Sequence, residues 1–292
     1  MELTAAGTAT ETQTIAIQGV RGSFHEIAAR KFFGTNIELD MCDSFPELFR
    51  NLEAGKARYG VVAIENTVAG TLLPNYALLR NSEFVVIGEV YLRIEHNLMA
   101  LPGQQLSQLR EAHSHPMALQ QCQVFFGENP HLKLVENADT AGAALWVRDQ
   151  KLKGVGAIAS RLAAEHYGME ILAEGIESNK RNFTRFLILL DQDNAARMDL
   201  EADKASLCFN LTHRVGSLAN ILLVLGAHGM NLSKIQSLPV LGREFEYFFH
   251  IDLEFDEHAQ YLRALSAIRP LVNELKILGE YPRGDKNDLL SA

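Results

Sequence analysis

Between Thr14 and Leu190 short apolar runs alternate with helical patterns, and this alternation restricts the chain to a parallel or mixed sheet covered by helices. Thr14 to Gln18 (TIAIQ) reads as a strand running into Gly19 and Gly22, after which Ser23 can cap a helix carrying Ile27, Ala28, Lys31 and Phe32. The plan repeats. Phe45 to Leu52 is helical, Tyr59 to Ile64 (YGVVAI) is an apolar strand, and Glu65, Asn66 and Thr67 lie at its carboxyl end, where ligands bind in α/β sheets. Further strands are expected at Phe84 to Val90, Asn97 to Ala100 and Gly156 to Ala159, and helices at Met117 to Phe126, Ala141 to Val147 and Arg161 to Tyr167. Periodicity leaves open whether this region is one domain or two lobes with a cleft.

The pattern stops at Asp191 to Lys204 (DQDNAARMDLEADK), a polar stretch with little to bury, which reads as a linker. Behind it Leu207, Phe209 and Leu211 alternate as in a strand, and Leu218, Ile221, Leu222 and Leu225 repeat at helical spacing up to Gly229. Strands at Asn231 to Gln236 and Phe245 to Leu253, a helix from Glu257 to Ile268 and a strand near Glu274 to Leu278 complete the order βαββαβ, which suggests a ferredoxin-like sandwich. The expected division is a tail over 1–13, a first unit over 14–191, a linker over 192–204, a second unit over 205–283 and a tail over 284–292.

Composition narrows the function. The chain carries 27 basic and 36 acidic side chains, a formal charge of −9, with the basic residues dispersed, so it has no electrostatic footprint for nucleic acid. An anionic substrate must be captured by local groups. No apolar run approaches the roughly 20 residues of a membrane helix, and the opening residues lack the basic start and apolar core of a signal peptide. Three dispersed cysteines, Cys42, Cys122 and Cys208, argue against disulfides and a zinc site and fit a reducing cytoplasm.

The sharpest segment is Asn182 to Leu189 (NFTRFLIL), a Thr-Arg pair at the head of an apolar strand. Read alone, it is compatible with an ordinary strand start. Successive strand side chains face opposite ways, so Thr184 and Arg185 share a ligand only if the backbone is irregular or the ligand wraps the strand end. Asn66 alone could form a turn, Ser114 could cap a helix, and Glu65 could be a helix-end charge.

Taken together, the segments resemble the prephenate dehydratase family. NFTRFLIL is similar to that family's NxTRFLVL, GVRGSFHEIAA (Gly19 to Ala29) to GPxGSFSExAA, AIENTVAG (Ala63 to Gly70) to PIENSxxG, SHPMALQQC (Ser114 to Cys122) to SHPQALAQC, and DTAGAA (Asp139 to Ala144) to STAxAA. The order and spacing match over Ile15 to Tyr281. His25 stands where the family usually has a small hydroxyl residue, and Met117 where it has Gln.

The resemblance implies an α/β, two-lobed, periplasmic-binding-protein-like catalytic domain with a cleft. It also implies the decarboxylating dehydration of prephenate to phenylpyruvate, carbon dioxide and water, with no cofactor and no metal. It makes Thr184 the essential hydroxyl, with Glu65, Asn66 and Gln121 as further catalytic residues. Ser114, Arg185, Thr67, Gly22, Ser23 and Phe186 become substrate-binding candidates, with Arg185 or the amides after Gly22 holding a carboxylate. Cys122 is expected to pack a helix rather than act as a nucleophile.

The second unit resembles ACT regulatory domains, through LTHRVGSLANIL (Leu211 to Leu222) and MNLSKIQSLP (Met230 to Pro239). Val215, Gly216, Ser217 and Leu218 match the PGAL loop that cradles an amino-acid effector, and Asn231 joins them as an effector candidate. Where most members read ESRP, this chain has Gln236-Ser237-Leu238-Pro239. The resemblance implies feedback by L-phenylalanine and a homodimer or homotetramer. The 13 residues ahead of Thr14 are too few for a fused chorismate mutase domain, so a monofunctional enzyme is expected. Two other readings stand beside this one: an arogenate dehydratase, and a non-catalytic ligand sensor.

Overall fold

The computed structural model describes residues 13–240, 242 and 246–285; the N-terminal tail before Gln13, Phe245 and residues 286–292 of the expected C-terminal tail lie outside the described residues. The chain opens with β1 (Gln13–Gln18), α1 (Phe24–Phe33), β2 (Ile37–Cys42), α2 (Phe45–Glu53), β3 (Tyr59–Asn66), a two-residue β4 (Gly70–Thr71), α3 (Leu73–Asn81) and β5 (Phe84–Arg93). It crosses into β6 (Asn97–Ala100), β7 (Glu111–Ser114), α4 (Pro116–Gln121), α5 (Gln123–Glu128), β8 (Lys133–Glu136), α6 (Thr140–Asp149), β9 (Val155–Ala159), α7 (Arg161–Tyr167) and β10 (Glu170–Ala173). It then returns as β11 (Phe183–Asp191) and one helical turn, α8 (Gln192–Ala195). The strands assemble as β2-β1-β3-β11-β5 and β10-β6-β9-β7-β8, two mixed sheets in two lobes that residues 94–96 and 174–182 connect.

Local chemistry starts the helices where they are needed. The side chains of Ser23, Ser44, Asp139 and Ser160 accept from the amide three residues on, capping α1, α2, α6 and α7. Each such cap is worth about 0.5–2 kcal/mol. Where the lobes meet, Gly22 has φ +82°, and a Cβ there would lie 2.5 Å from the Cα of Ala163. The glycine is required twice over, by its left-handed backbone and by the close approach of α7.

The C-terminal unit is β12 (Lys204–Asn210), α9 (Ser217–Ala227), β13 (Asn231–Pro239), β14 (Tyr247–Glu254), α10 (His258–Ile268) and β15 (Asn273–Tyr281), in sheet order β13-β14-β12-β15. This is the ferredoxin-like arrangement. One face of its sheet packs under α9 and α10 through Leu207, Phe209, Ile221, Ile251 and Tyr261. The other face shares a core with the first lobe, where Cys208, Leu278 and Tyr281 meet Val62, Val86, Leu187 and Leu189. Gly279 lies so close to the backbone of Val86 that any side chain there would collide with the Val86 carbonyl. The first sheet is therefore covered on both faces, which is why β3 and β11 read as unbroken apolar runs rather than alternating ones.

Several expectations are corrected. The helix expected over Met117 to Phe126 breaks at Cys122 into α4 and α5. In the stretch read as a linker, Asp191 closes β11, and Lys204 opens β12 and is buried. A lysine looked like a solvated charge; here it has buried carboxylate partners. In the C-terminal sheet β14 lies between β13 and β12, and β13 and β15 are the edges. The strands β2, β7, β8 and β10 and the helix α3 gave no usable sequence signal, being short or mixed in polarity.

Candidate active site

The two lobes enclose a cavity of about 850 Å³, inside the roughly 300–1,000 Å³ range of small-molecule sites. Its walls come from the carboxyl end of β1, from β3 and β11, from the starts of α1, α2 and α6, and from α3 and α4 along their length. No Lys or Arg lines it. What faces it instead is a set of helix amino termini, and the amides of Phe24 and His25 in one lobe and of Thr140 and Ala141 in the other take part in no hydrogen bond of the described residues. Such amides, with the helix dipoles behind them, attract anions.

Strand pairing assembles the centre of the site. On β11, Thr184 lies opposite Asn66 of β3, and Arg185 opposite Glu65; the register then jumps, so that Phe186 faces Ala63. The extra residue on β3 is a bulge, and it brings Asn66 to the same face as Ala63 although the two are three positions apart. Thr184 and Phe186 also face the cavity, as alternation demands.

Asn66 is fixed by the backbone beyond it, its Oδ1 accepting from the amides of Val68 (2.9 Å) and Ala69 (2.7 Å). Its Nδ2 donates to Thr184 Oγ1 at 2.9 Å and to Asn182 Oδ1 at 2.8 Å. Asn182 Nδ2 donates to Gln121 Oε1 at 2.8 Å, and His96 Nε2 lies 2.9 Å from the same oxygen. All five residues are buried, and the chain they form reaches from the first lobe through both connecting segments into the second. Among the described residues the Thr184 hydroxyl accepts one hydrogen bond and donates none, so its proton is available to a ligand.

Of the residues singled out in the sequence, the structure brings Thr184, Asn66, Gln121, Ser23 and Phe186 to this cavity. It places the others elsewhere. The Arg185 guanidinium, expected to hold a carboxylate, points to the opposite face of β11. There it pairs with Glu89 at 2.7 Å and with Asp252 and donates to the Tyr281 hydroxyl at 3.0 Å. Glu65, on the same rear face of β3, pairs with Lys234 of β13 at 2.9 Å. Gly22 gives its amide to Glu26. Ser114 is buried and donates to the carbonyl of Ile158. Thr67 ties the start of β11, accepting from the Phe183 amide and donating to the Arg181 carbonyl. Period-two alternation removes Arg185 and Glu65 from the cavity, and backbone contacts consume Gly22, Ser114 and Thr67.

Sequence reasoning passed over Asn182 and His96. Asn182 stood at the head of the NFTRFLIL segment and could have been found there; His96 carries no local signal, because only the return of the chain beside residues 94–96 gives it a role. His25, at the foot of α1, also lines the cavity. Its ring packs edge-on against Phe186 at 5.0 Å, its Nε2 is buried without a partner among the described residues, and burial pushes its pKa down to about 3, so it is neutral. The three cysteines are buried, and burial raises each thiol to about 12, so none is a nucleophile at neutral pH. Cys122 packs in the core of the second lobe.

The family model described as prephenate dehydratase matches residues 15–194. The chain belongs to the prephenate dehydratase family. Among its relatives, arogenate dehydratase 2 of Petunia hybrida is 36% identical over 92% of this chain and 71% of its own length. A solved prephenate dehydratase from Arthrobacter aurescens in complex with L-Phe superposes with a TM-score of 0.81 at 27% identity, over 92% of this chain and 90% of its own. A second solved structure, described as a novel type of quorum quenching acylases, superposes at 0.83 with 31% identity, over 93% of this chain and 98% of its own. Membership makes this prephenate dehydratase relative a hydro-lyase, with a two-lobed catalytic fold, in aromatic amino-acid biosynthesis.

In the C-terminal unit Ser217, at the first position of α9, and Leu218 border a recess of about 90 Å³ with Arg214, Tyr247 and Phe249. Val215 and Gly216 lie exposed beside it, and Asn231 donates to Glu254. Leu238, in the altered signature, is buried in the core shared with the first lobe. A charged side chain would be out of place there.

Proposed function

We propose that this chain converts prephenate to phenylpyruvate, carbon dioxide and water, with Thr184 as the proton donor to the leaving hydroxyl. The observation that carries the reading is the Thr184 hydroxyl, held by Asn66 and free to donate into a largely apolar cavity that no Lys or Arg lines and whose carboxylates, Asp43 and Asp139, lie at its rim of helix starts. As the ring carbon–oxygen bond breaks, the departing hydroxide takes up one proton through the Thr184 hydroxyl, which regains it from solvent, and leaves as water, while the electrons of the bond from the ring to its carboxylate pass into the ring as it becomes aromatic and carbon dioxide departs. A hydrogen bond that strengthens as the oxygen gains charge lowers that barrier. Substrate carboxylates are held by the helix amino termini of α1 and α6 instead of a cation, and the Gln121 amide adds a donor to the wall. A carboxylate held by fixed dipoles in a dry pocket loses carbon dioxide more readily than one clamped by arginine.

L-phenylalanine is the proposed effector, bound beside Ser217 and Leu218 with Val215, Gly216 and Asn231 around it. The recess is too small to enclose an aromatic amino acid within one chain, which fits a site completed by a second copy and hence a homodimer or homotetramer. The cytoplasm is the proposed compartment. No helix among the described residues is long and apolar enough to cross a membrane.

The relation to the acylase leaves amide hydrolysis as the competing chemistry. That reaction needs an activated nucleophile, and the hydrogen bonds of Thr184 and Ser23 reach neither a histidine nor a carboxylate. The deciding experiment follows aromatic product from prephenate and from arogenate with the purified chain and with Thr184→Val, alongside hydrolysis of an N-acyl homoserine lactone. Turnover of prephenate that collapses in the variant supports the proposal. Faster turnover of arogenate would move the substrate to the amino form, and cleavage of the N-acyl amide without aromatic product would overturn the dehydratase reading.

A further inference from the structure

The direction of every hydrogen bond in the chain behind Thr184 follows from two backbone amides. A backbone N–H only donates, so Asn66 Oδ1, which meets Val68 and Ala69, is an acceptor, and the Nδ2 on the other side of that amide is the donor to Thr184 and Asn182. Asn182 therefore presents Oδ1 to Asn66 and Nδ2 to Gln121. Gln121 presents Oε1, which can only accept, and the ring nitrogen of His96 facing it must carry a proton.

His96 is held for that task. It lies in one of the two segments joining the lobes, where its amide donates to Glu177 at 2.9 Å and its carbonyl accepts from the Ile176 amide at 2.7 Å, both in the other segment. Its Nδ1 is buried and has no partner among the described residues, while the ring forms part of the cavity wall. A proton on Nδ1 would be a buried donor with nothing to accept it, which favours the proton on Nε2.

We propose that His96 is a positioning residue for Thr184, neutral with its proton on Nε2, which sets the direction of the hydrogen bonds from Gln121 to the threonine. The assignment rests on the reading of Thr184 as proton donor. Its proton on Nε2 orders Gln121, which orders Asn182 and keeps the Asn66 amide turned toward the threonine. Burial disfavours the imidazolium form, in keeping with a ring that stays neutral.

Two measurements on the full chain test this. A long-range proton–nitrogen NMR spectrum of histidine-labelled protein at neutral pH, assigned with His96→Gln, reads the tautomer without any turnover; the proton on Nε2 is expected, and a proton on Nδ1 or an imidazolium would overturn the proposal. Steady-state kinetics on prephenate and arogenate then compare His96→Gln, whose amide nitrogen can replace the Nε2 donor, with His96→Ala. Expected are a kcat restored to within about threefold of wild type in His96→Gln, against a kcat lowered about 30-fold or more in His96→Ala. Equal losses in both variants at unchanged melting temperature, or no loss in either, would reduce His96 to wall packing. A wild type inert on both substrates would sink the dehydratase reading, and the spectrum would still decide the tautomer.

Discussion

On β3 and β11 neighbouring residues serve opposite faces: Asn66 and Thr184 look into the cavity, while Glu65 and Arg185 look to the C-terminal unit. The front face is uncharged and leaves a hydroxyl proton free. The rear face is dense in charge, with Arg185 and Lys204 set among Glu89, Asp252 and Glu254, and Ser206 and the Tyr281 hydroxyl completing the hydrogen bonds. Buried ions are tolerable only when each is fully paired, whereas a donor committed within the protein is useless to a substrate. Two strands meet both demands because side chains alternate, and the attachment of the C-terminal unit thus lies one residue from the proposed proton donor.

Breaking the rear face should have the largest effect on stability. Arg185→Leu leaves Glu89 and Asp252 buried with only Lys204 between them, and a loss of about 3–5 kcal/mol is expected in thermal or denaturant unfolding. An unchanged midpoint would mean that water enters this interface. Breaking the front face should do the reverse: Thr184→Val keeps the shape and removes the donor, so kcat should fall about 10²- to 10³-fold at an unaltered melting temperature. A variant that melts early would show Thr184 to be structural.

Acid sharpens the comparison. Burial holds His25 near 3 and His250 near 4, both below the ordinary 6.5. The unfolded chain takes up protons below about pH 6.5 that the folded chain refuses until pH 3 to 4. Stability is therefore full above pH 6.5 and falls on acidification, with at most about 1.4 kcal/mol per pH unit from each histidine. His25→Gln should flatten that slope in pH-dependent unfolding, and an equal slope would show that His25 is solvated. The smallest effect is expected at the rim of the rear face, where Glu65 is half open to solvent: Lys234→Ala should cost about 0.2–1 kcal/mol and diminish with salt.

Much of this architecture was legible in the chain. The caps at Ser23, Ser44 and Asp139 are local, and the apolar runs at Tyr59 and Phe183 were long enough to declare strands. Thr184, Asn66 and Gln121 were identified from their segments and share the cavity. Arg185, Glu65, Gly22, Ser114 and Thr67 were identified with equal confidence of motif and lie elsewhere, since a motif states which residues are near in sequence and not which face each takes.

By itself, then, the sequence determined what depends on neighbours along the chain: the elements, their order, the ferredoxin-like unit and the segment that bears the chemistry. Only the tertiary structure decided which face Arg185 and Glu65 would take, that Lys204 would be buried, and that His96 and Asn182 would meet Gln121. Those outcomes depend on a bulge in β3 and on two segments that cross between lobes, and no local pattern encodes contacts that the chain makes only by coming back on itself.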